Sequence, residues 1–187
     1  PPVPYPELII DQANLDLLLV QLGVSLERPV MGLCPGAEFG DAKQWPAAHF
    51  ASLSRRAIAK GFQVWIFGGK NDAPCAAEIQ AEAGENCHNL AGKTPLLDAI
   101  DLLSACHQVV SNDSGLMHIA AAVGVHTTVV YGSTSPDFTP PLTDSLDIVS
   151  LNLKCSPCFK RVCPLKHKNC LNQLSPELVP IQQLLSS

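Results

Sequence analysis

Val109-Val110-Ser111-Asn112-Asp113-Ser114-Gly115-Leu116-Met117-His118 runs on to Val129-Val130-Tyr131-Gly132-Ser133-Thr134, and its reading decides the fold. The pairs Val109-Val110 and Val129-Val130 are β-branched and apolar, as buried strands are. Between them, Leu116 to Val123 is apolar and Ala-rich, which predicts a buried helix. Asp113 sits where a helix N-cap belongs. Gly115 leaves the first helical turn without a side chain, so a ligand can approach the backbone. A helix start of this kind presents free N–H groups and the positive end of the dipole, which suits a phosphate. Ser111, Ser114, Ser133 and Thr134 add hydroxyls from two neighbouring turns. Two such turns at the carboxyl ends of parallel strands make a binding crevice.

The same alternation extends outward in both directions. A helix is expected over Asp11 to Leu22 with its stop at Gly23, then a strand at Val30–Leu33. The long loop Cys34–Gln44 carries Gly36 and Gly40, and long loops in compact domains are commonly functional. Helices follow from Pro46 to Lys60, from Ala73 to Ala83, and from Thr94 as cap, with Pro95 at the first position, to about Cys106. Strands are expected at Val64–Phe67 and Cys87–Leu90, and a last short one at Asp147–Leu151. Ser175-Pro176-Glu177 should open a final helix. Strands and helices alternating at this spacing predict an α/β fold with a doubly wound parallel sheet.

Composition narrows the function classes. The 187 residues carry a formal charge of −5, which argues against nucleic acid as a partner. No apolar run approaches the ~20 residues of a membrane span. Pro1-Pro2-Val3-Pro4-Tyr5-Pro6 has neither the basic flank nor the apolar segment of a secretory signal. It reads as an extended interdomain linker, which would make this stretch part of a longer chain. Eight cysteines in an α/β chain without a signal favour a reducing compartment. Neither G-x-x-x-x-G-K-[ST] nor G-x-G-x-x-G occurs, which argues against a P-loop kinase and a standard dinucleotide dehydrogenase. Two polar turns and the Gly36–Gly40 loop, all at strand ends, point to a nucleotide-diphosphate site. The pair Gly68-Gly69 serves equally well as a plain helix-entry turn.

The segment Cys155-x2-Cys158-x4-Cys163-x6-Cys170, with His167 inside it, is basic through Lys154, Lys160, Arg161, Lys166 and Lys168. Its irregular spacing reads first as a reduced surface loop. A zinc or iron–sulfur site on those four cysteines is the alternative. The positive charge would suit a phosphorylated lipid at a membrane surface, or simply a solvated face.

Cys34-Pro35-Gly36-Ala37 with Lys43-Gln44-Trp45-Pro46, then Phe67-Gly68-Gly69, then Asn112-Asp113-Ser114-Gly115-Leu116-Met117-His118, then Tyr131-Gly132-Ser133-Thr134, resemble the glycosyltransferase family 9 heptosyltransferases of lipopolysaccharide synthesis. The Asp-Ser-Gly-x-x-His element is the most specific part, and the likeness spans roughly Val30 to Val179. It implies a GT-B enzyme of two Rossmann-like domains, of which this stretch matches the C-terminal, donor-binding one. Residues 1–23 would then be a linker and leading helix, and 24–187 the donor domain with the Cys-rich basic segment 154–170.

The resemblance further implies ADP-L-glycero-D-manno-heptose as donor and inverting transfer to the lipopolysaccharide inner core (lipid A with Kdo and a first heptose). The protein would be cytoplasmic and peripheral to the inner membrane. The catalytic base belongs to the N-terminal half, so this stretch is expected to be inactive without that partner. The donor would meet Gly36, Lys43, Ser111, Asp113, Ser114, Gly115, Leu116, His118, Ser133 and Thr134. Lys43 and the N–H groups of Gly115 and Leu116 would stabilise the leaving diphosphate, so no metal and no cofactor are expected. Asp113, repelled by phosphate, would accept from sugar hydroxyls or serve as the cap. Lys70 and Asn71 stand where some relatives carry an acidic ribose contact, and no ribose role is assigned there. A non-catalytic Rossmann-like module that binds a nucleotide, an anion or a metal is the rival reading.

Overall fold

The computed structural model describes residues 4–184. The linker reading at residues 1–3 lies outside them. From Pro4 to Asp11 the chain has no regular structure, but it is held to the domain by Leu8 N–H donating to the Ala122 carbonyl at 2.9 Å.

Helix α1 spans Gln12–Leu22, with the Asp11 side chain accepting from Asn14 N–H and Gly23 closing it in the left-handed region. Strand β1 is Val30–Cys34, α2 is Ala47–Ala59 and β2 is Gln63–Ile66. Then come α3, Ala73–Ala83, β3, Cys87–Asn89, and α4, Leu96–Ser104. The central unit is β4, Gln108–Asn112, α5, Gly115–Ala122, and β5, His126–Val130. Strand β6, Leu146–Val149, and the single turn α6, Asn169–Asn172, complete the order.

The six strands form one sheet in the order β3-β2-β1-β4-β5-β6, and every pairing is parallel. The chain therefore winds outward from β1 on one side and from β4 on the other. Between those two central strands Leu33 lies opposite Val110 and Cys34 opposite Ser111. Loops leaving their carboxyl ends diverge to opposite faces and open a crevice.

Both faces of the sheet are covered, so its central strands are buried along their whole length. On one face Phe50, Leu53, Ala76 and Ile79 of α2 and α3 meet Met31, Leu33, Val64 and Ile66. On the other, Leu15, Leu18, Leu102, Leu103 and Ala120 of α1, α4 and α5 meet Val30, Trp65 and Val109. Fully burying each large side chain contributes about 1.5–3 kcal/mol.

Four details depart from the sequence reading. Pro46 is the N-cap of α2 and Pro95 that of α4, one position earlier than expected, and Thr94 makes no capping bond. Helix α4 ends at Ser104. At Ser175-Pro176 there is one 3-10 turn, Pro176–Leu178, instead of a helix. Pro180 explains this, since a proline disfavours helical geometry in the residue before it and lacks an N–H. The chain runs on extended and buries Val179 and Ile181 against the α2 face.

Helix α1 is tied to α4 through the buried Asp101. Its carboxylate accepts from Asp11 N–H at 2.9 Å and from Asn14 Nδ2 at 2.8 Å. Asp101→Ala should lower stability by about 1–3 kcal/mol and free residues 4–23 for limited proteolysis. A urea melt combined with chymotrypsin digestion, which can cut at the leucines of that segment, reads both effects.

Candidate functional site

A cleft of about 590 Å³ opens at the carboxyl ends of β1, β2 and β4, within the size range of small-ligand sites. Its walls are the loop after β1 with Gly36, Phe39 and Lys43, the pair Gly68-Gly69 after β2, and the start of α5 with Asp113 to His118. It lies at the strand-order reversal.

Asp113 is the electrostatic centre. Lys43 Nζ donates to its Oδ2 at 2.6 Å, and the pair is largely buried, with 12% and 5% of the side chains exposed. Thr134 Oγ1 donates to the same oxygen at 2.6 Å, and Thr139 Oγ1 to Oδ1 at 3.3 Å. These three partners account for the carboxylate, which corrects the reading of Asp113 as helix cap. Ser114 occupies the N-cap position and no side chain caps α5. The physical reason is competition: a charge-assisted bond to an ammonium is stronger than a capping bond to a backbone amide. The consequence is that the first N–H groups of α5 carry no side-chain cap. Gly115 beside them is exposed, with open space where a Cβ would stand.

Asn112 ties the two central loops together. Its Oδ1 accepts from Trp45 N–H at 3.2 Å and its Nδ2 donates to the Pro35 carbonyl at 2.6 Å, in a fully buried setting. The loop that carries Lys43 in a short 3-10 turn, Asp41–Lys43, is thereby anchored near both of its ends. The ammonium also stands 4.8 Å from the centre of the Phe39 ring, and Arg161 stands 5.2 Å from the same ring, both within cation–π range.

Gly36 and Gly68 are needed for a different reason than a ligand. A Cβ on either would come within 2.7 Å of the Asp72 side chain, whose Oδ2 accepts from Gly69 N–H at 2.8 Å. Asp72 organises the two glycine turns and lines the cleft. Burial, and next the negative charge of Asp113, hold the Tyr131 hydroxyl well above its ordinary range. Tyr131 Oη donates to the Thr139 carbonyl at 2.7 Å and so positions Thr139 over Asp113.

Gly36, Lys43, Asp113, Ser114, Gly115, Leu116 and His118 are thus brought together around one cleft, and His118 is exposed on the second turn of α5. Three expected residues stand back from it. Ser111 is buried and donates to the Asn112 carbonyl at 2.6 Å, with Ser114 Oγ 3.2 Å away. Thr134 is buried beneath Asp113. Ser133 Oγ is buried, has no hydrogen-bond partner among the described residues, and faces a separate small cavity. Thr94, Asp72, Phe39 and Thr139 line the cleft and were not among the site residues expected from the sequence.

The profile of Glycosyltransferase family 9 (heptosyltransferase) matches residues 2–169. The chain belongs to this family. Lipopolysaccharide heptosyltransferase 2 of Salmonella typhimurium is 43% identical over 154 residues, which cover 80% of this chain and 44% of that protein. Lipooligosaccharide heptosyltransferase 2 of Haemophilus influenzae is 52% identical over 129 residues, 67% of this chain and 37% of that protein. Among solved structures, that of E. coli ADP-heptose lipopolysaccharide heptosyltransferase II superposes with a TM-score of 0.82 at 38% identity, covering 95% of this chain and 52% of that one. The chain spans about half the length of the family 9 relatives it matches, and its sheet is Rossmann-like. No helix among the described residues is long and apolar enough to cross a membrane.

Replacing Asn112 with alanine tests the coupling of the two loops. It leaves Trp45 N–H and the Pro35 carbonyl buried without partners, at a cost of about 2–4 kcal/mol. Urea unfolding followed by Trp fluorescence should show that loss.

Proposed function

We propose that this family 9 chain is the donor-binding, C-terminal domain of a GT-B heptosyltransferase, holding ADP-L-glycero-D-manno-heptose for transfer to the lipopolysaccharide inner core. One observation carries the reading: the start of α5, without a side-chain cap, and the Lys43 ammonium converge on one cleft at the sheet's reversal point. Both favour an anion of diphosphate size. The description of the E. coli homologue as an ADP-heptose enzyme supports the choice of donor.

The roles divide by charge. In an inverting transfer, an acceptor hydroxyl attacks the anomeric carbon as its bond to the diphosphate oxygen breaks. The hydroxyl's proton goes to a base in the N-terminal domain. The developing negative charge falls on the diphosphate, where backbone N–H groups of Gly115 and Leu116 and the ammonium of Lys43 stabilise it. Lys43 carries three N–H donors. Asp113 takes one and fixes the direction of the others. His118 stands on the same helix face and contacts the donor near the diphosphate or the sugar. Thr134 acts from behind through its bond to Asp113, and Ser111 shapes the turn. No metal is needed for this division of charge. The acceptor, lipid A bearing Kdo and a first heptose, approaches from a membrane surface, so the enzyme works in the cytoplasm, peripheral to the inner membrane.

Calorimetric titration of the chain in EDTA should show heat of binding for ADP and for ADP-heptose. A requirement for magnesium, or no heat at all, sinks the proposal. Lys43→Ala should weaken both ligands roughly ten- to a hundredfold, the size of a lost hydrogen bond to a charged group. It should also slow transfer by the full-length enzyme.

Asp113→Asn separates positioning from repulsion. It removes a negative charge next to the diphosphate and keeps the size of the side chain. ADP should bind as well as before or slightly better, while ADP-heptose weakens by about tenfold or more. Equal losses for the two ligands would remove the sugar from the assignment of Asp113.

A further inference from the structure

The Cys-rich segment is unaccounted for by donor binding. Its four thiols, Cys155, Cys158, Cys163 and Cys170, together with His167, line one small cavity of about 20 Å³. A void of that size holds about one water or one ion. All eight cysteines of the chain are free, and four of them meet here. The cavity has a second feature: the Ser133 hydroxyl on its wall is 1% exposed and has no hydrogen-bond partner among the described residues. A buried hydroxyl without a partner is costly, and a charged centre in the cavity supplies what it lacks. Three of these thiols bear electrostatically on Cys170. Around Cys163, the backbone N–H groups of residues 165–168 turn toward the sulfur. That turn holds Lys166 and Lys168 in the left-handed region at φ 60° and 47°, a conformation that side chains other than glycine rarely adopt.

We propose that Cys155, Cys158, Cys163 and Cys170 form a structural tetrathiolate site for a divalent metal that prefers sulfur, zinc or ferrous iron. Among the described residues, no three His, Cys, Asp or Glu side chains already stand in a coordinating array. In a cavity this small, rotation of the lining thiols closes the site without a change of fold. On binding, each thiol gives its proton to solvent and forms a bond to the metal, with no electron transferred. The centre is left negatively charged, and the cations of Lys154, Lys160, Arg161, Lys166 and Lys168 on the same segment offset it. Cys34, Cys75 and Cys87 lie in β1, α3 and β3 and Cys106 between α4 and β4, and none of them lines this cavity.

The site would staple a segment that braces the cleft. Phe159 N–H donates to the Ser133 carbonyl at 2.7 Å, and Ala42 N–H to the Arg161 carbonyl at 3.2 Å. Gly40 packs so close to that carbonyl that a Cβ would overlap it. The loop carrying Lys43 therefore rests on the segment the metal would hold.

The test reads metal, not nucleotide, so its failure is distinct from failure of donor binding. The chain is purified under reducing conditions without chelator and its metal content measured by plasma mass spectrometry. About one zinc or one iron per chain is expected, the two arms telling which ion is used. A mercurial that modifies thiols should release it. Cobalt(II) added to the metal-depleted, otherwise unaltered chain should give the intense sulfur-to-cobalt absorption of a thiolate site. Cys158→Ser with Cys163→Ser should abolish binding, whereas Cys75→Ser should retain it. Three results overturn the proposal: no uptake of zinc, iron or cobalt by the reduced chain, full metal content in the double variant, or an intact mass showing these four cysteines paired as disulfides after purification under the same conditions.

Discussion

The Lys43–Asp113 pair is the interaction on which the cleft depends. It joins the loop after β1 to the turn after β4 across the point where the sheet reverses. Removing two charges from water is expensive, and a buried pair seldom adds net stability. What it supplies here is position. The hydroxyls of Thr134 and Thr139 replace part of the carboxylate's lost hydration, and the Phe39 ring covers the ammonium. A charge held this way needs no reorganisation when an anion arrives, which makes it useful beside a leaving group.

The fold was legible in the sequence because its signals are local. Val109-Val110 and Val129-Val130 could only be buried strands, and Gly23 and Gly84 end their helices. The site was legible in part. Gly115 and Leu116 were readable because a helix start has the same chemistry in any fold. Asp113 lines the cleft, and of its two readings, sugar contact or helix cap, the cap does not hold. The capping rule sees only the next few residues, whereas Lys43 lies 70 positions away. Thr139 and Asp72 were missed for the same reason. Nothing in Asp-Phe-Thr-Pro says that Tyr131 will hold that loop over a carboxylate. Nor do Gly36 and Gly68 reveal in sequence that they make room for one aspartate.

The glycines carry a wider lesson about inferring ligands from composition. Gly36 lies on the wall of the cleft, yet its lack of a side chain is already explained by Asp72. Gly115 is the reverse case: nothing among the described residues approaches its missing Cβ. Space that no part of the protein occupies, next to amide groups without a side-chain cap, points to a ligand far better than a glycine count does.

The sign of charge around the cleft would order a nucleotide-sugar donor within it. The cation and the helix start line the same cleft, and the carboxylate is paired to that cation. On the proposed reading a diphosphate would take the Lys43 and α5 side, since contact with the carboxylate would oppose the attraction of both. That would leave the uncharged, hydroxyl-rich part of a nucleotide-sugar to face Asp113 and Thr139. A single ion pair would thus direct a ligand's polarity as well as its affinity. On the proposed reading the reacting bond, lying between the charged and the uncharged halves of the donor, would be carried to the place where the lysine can act on it.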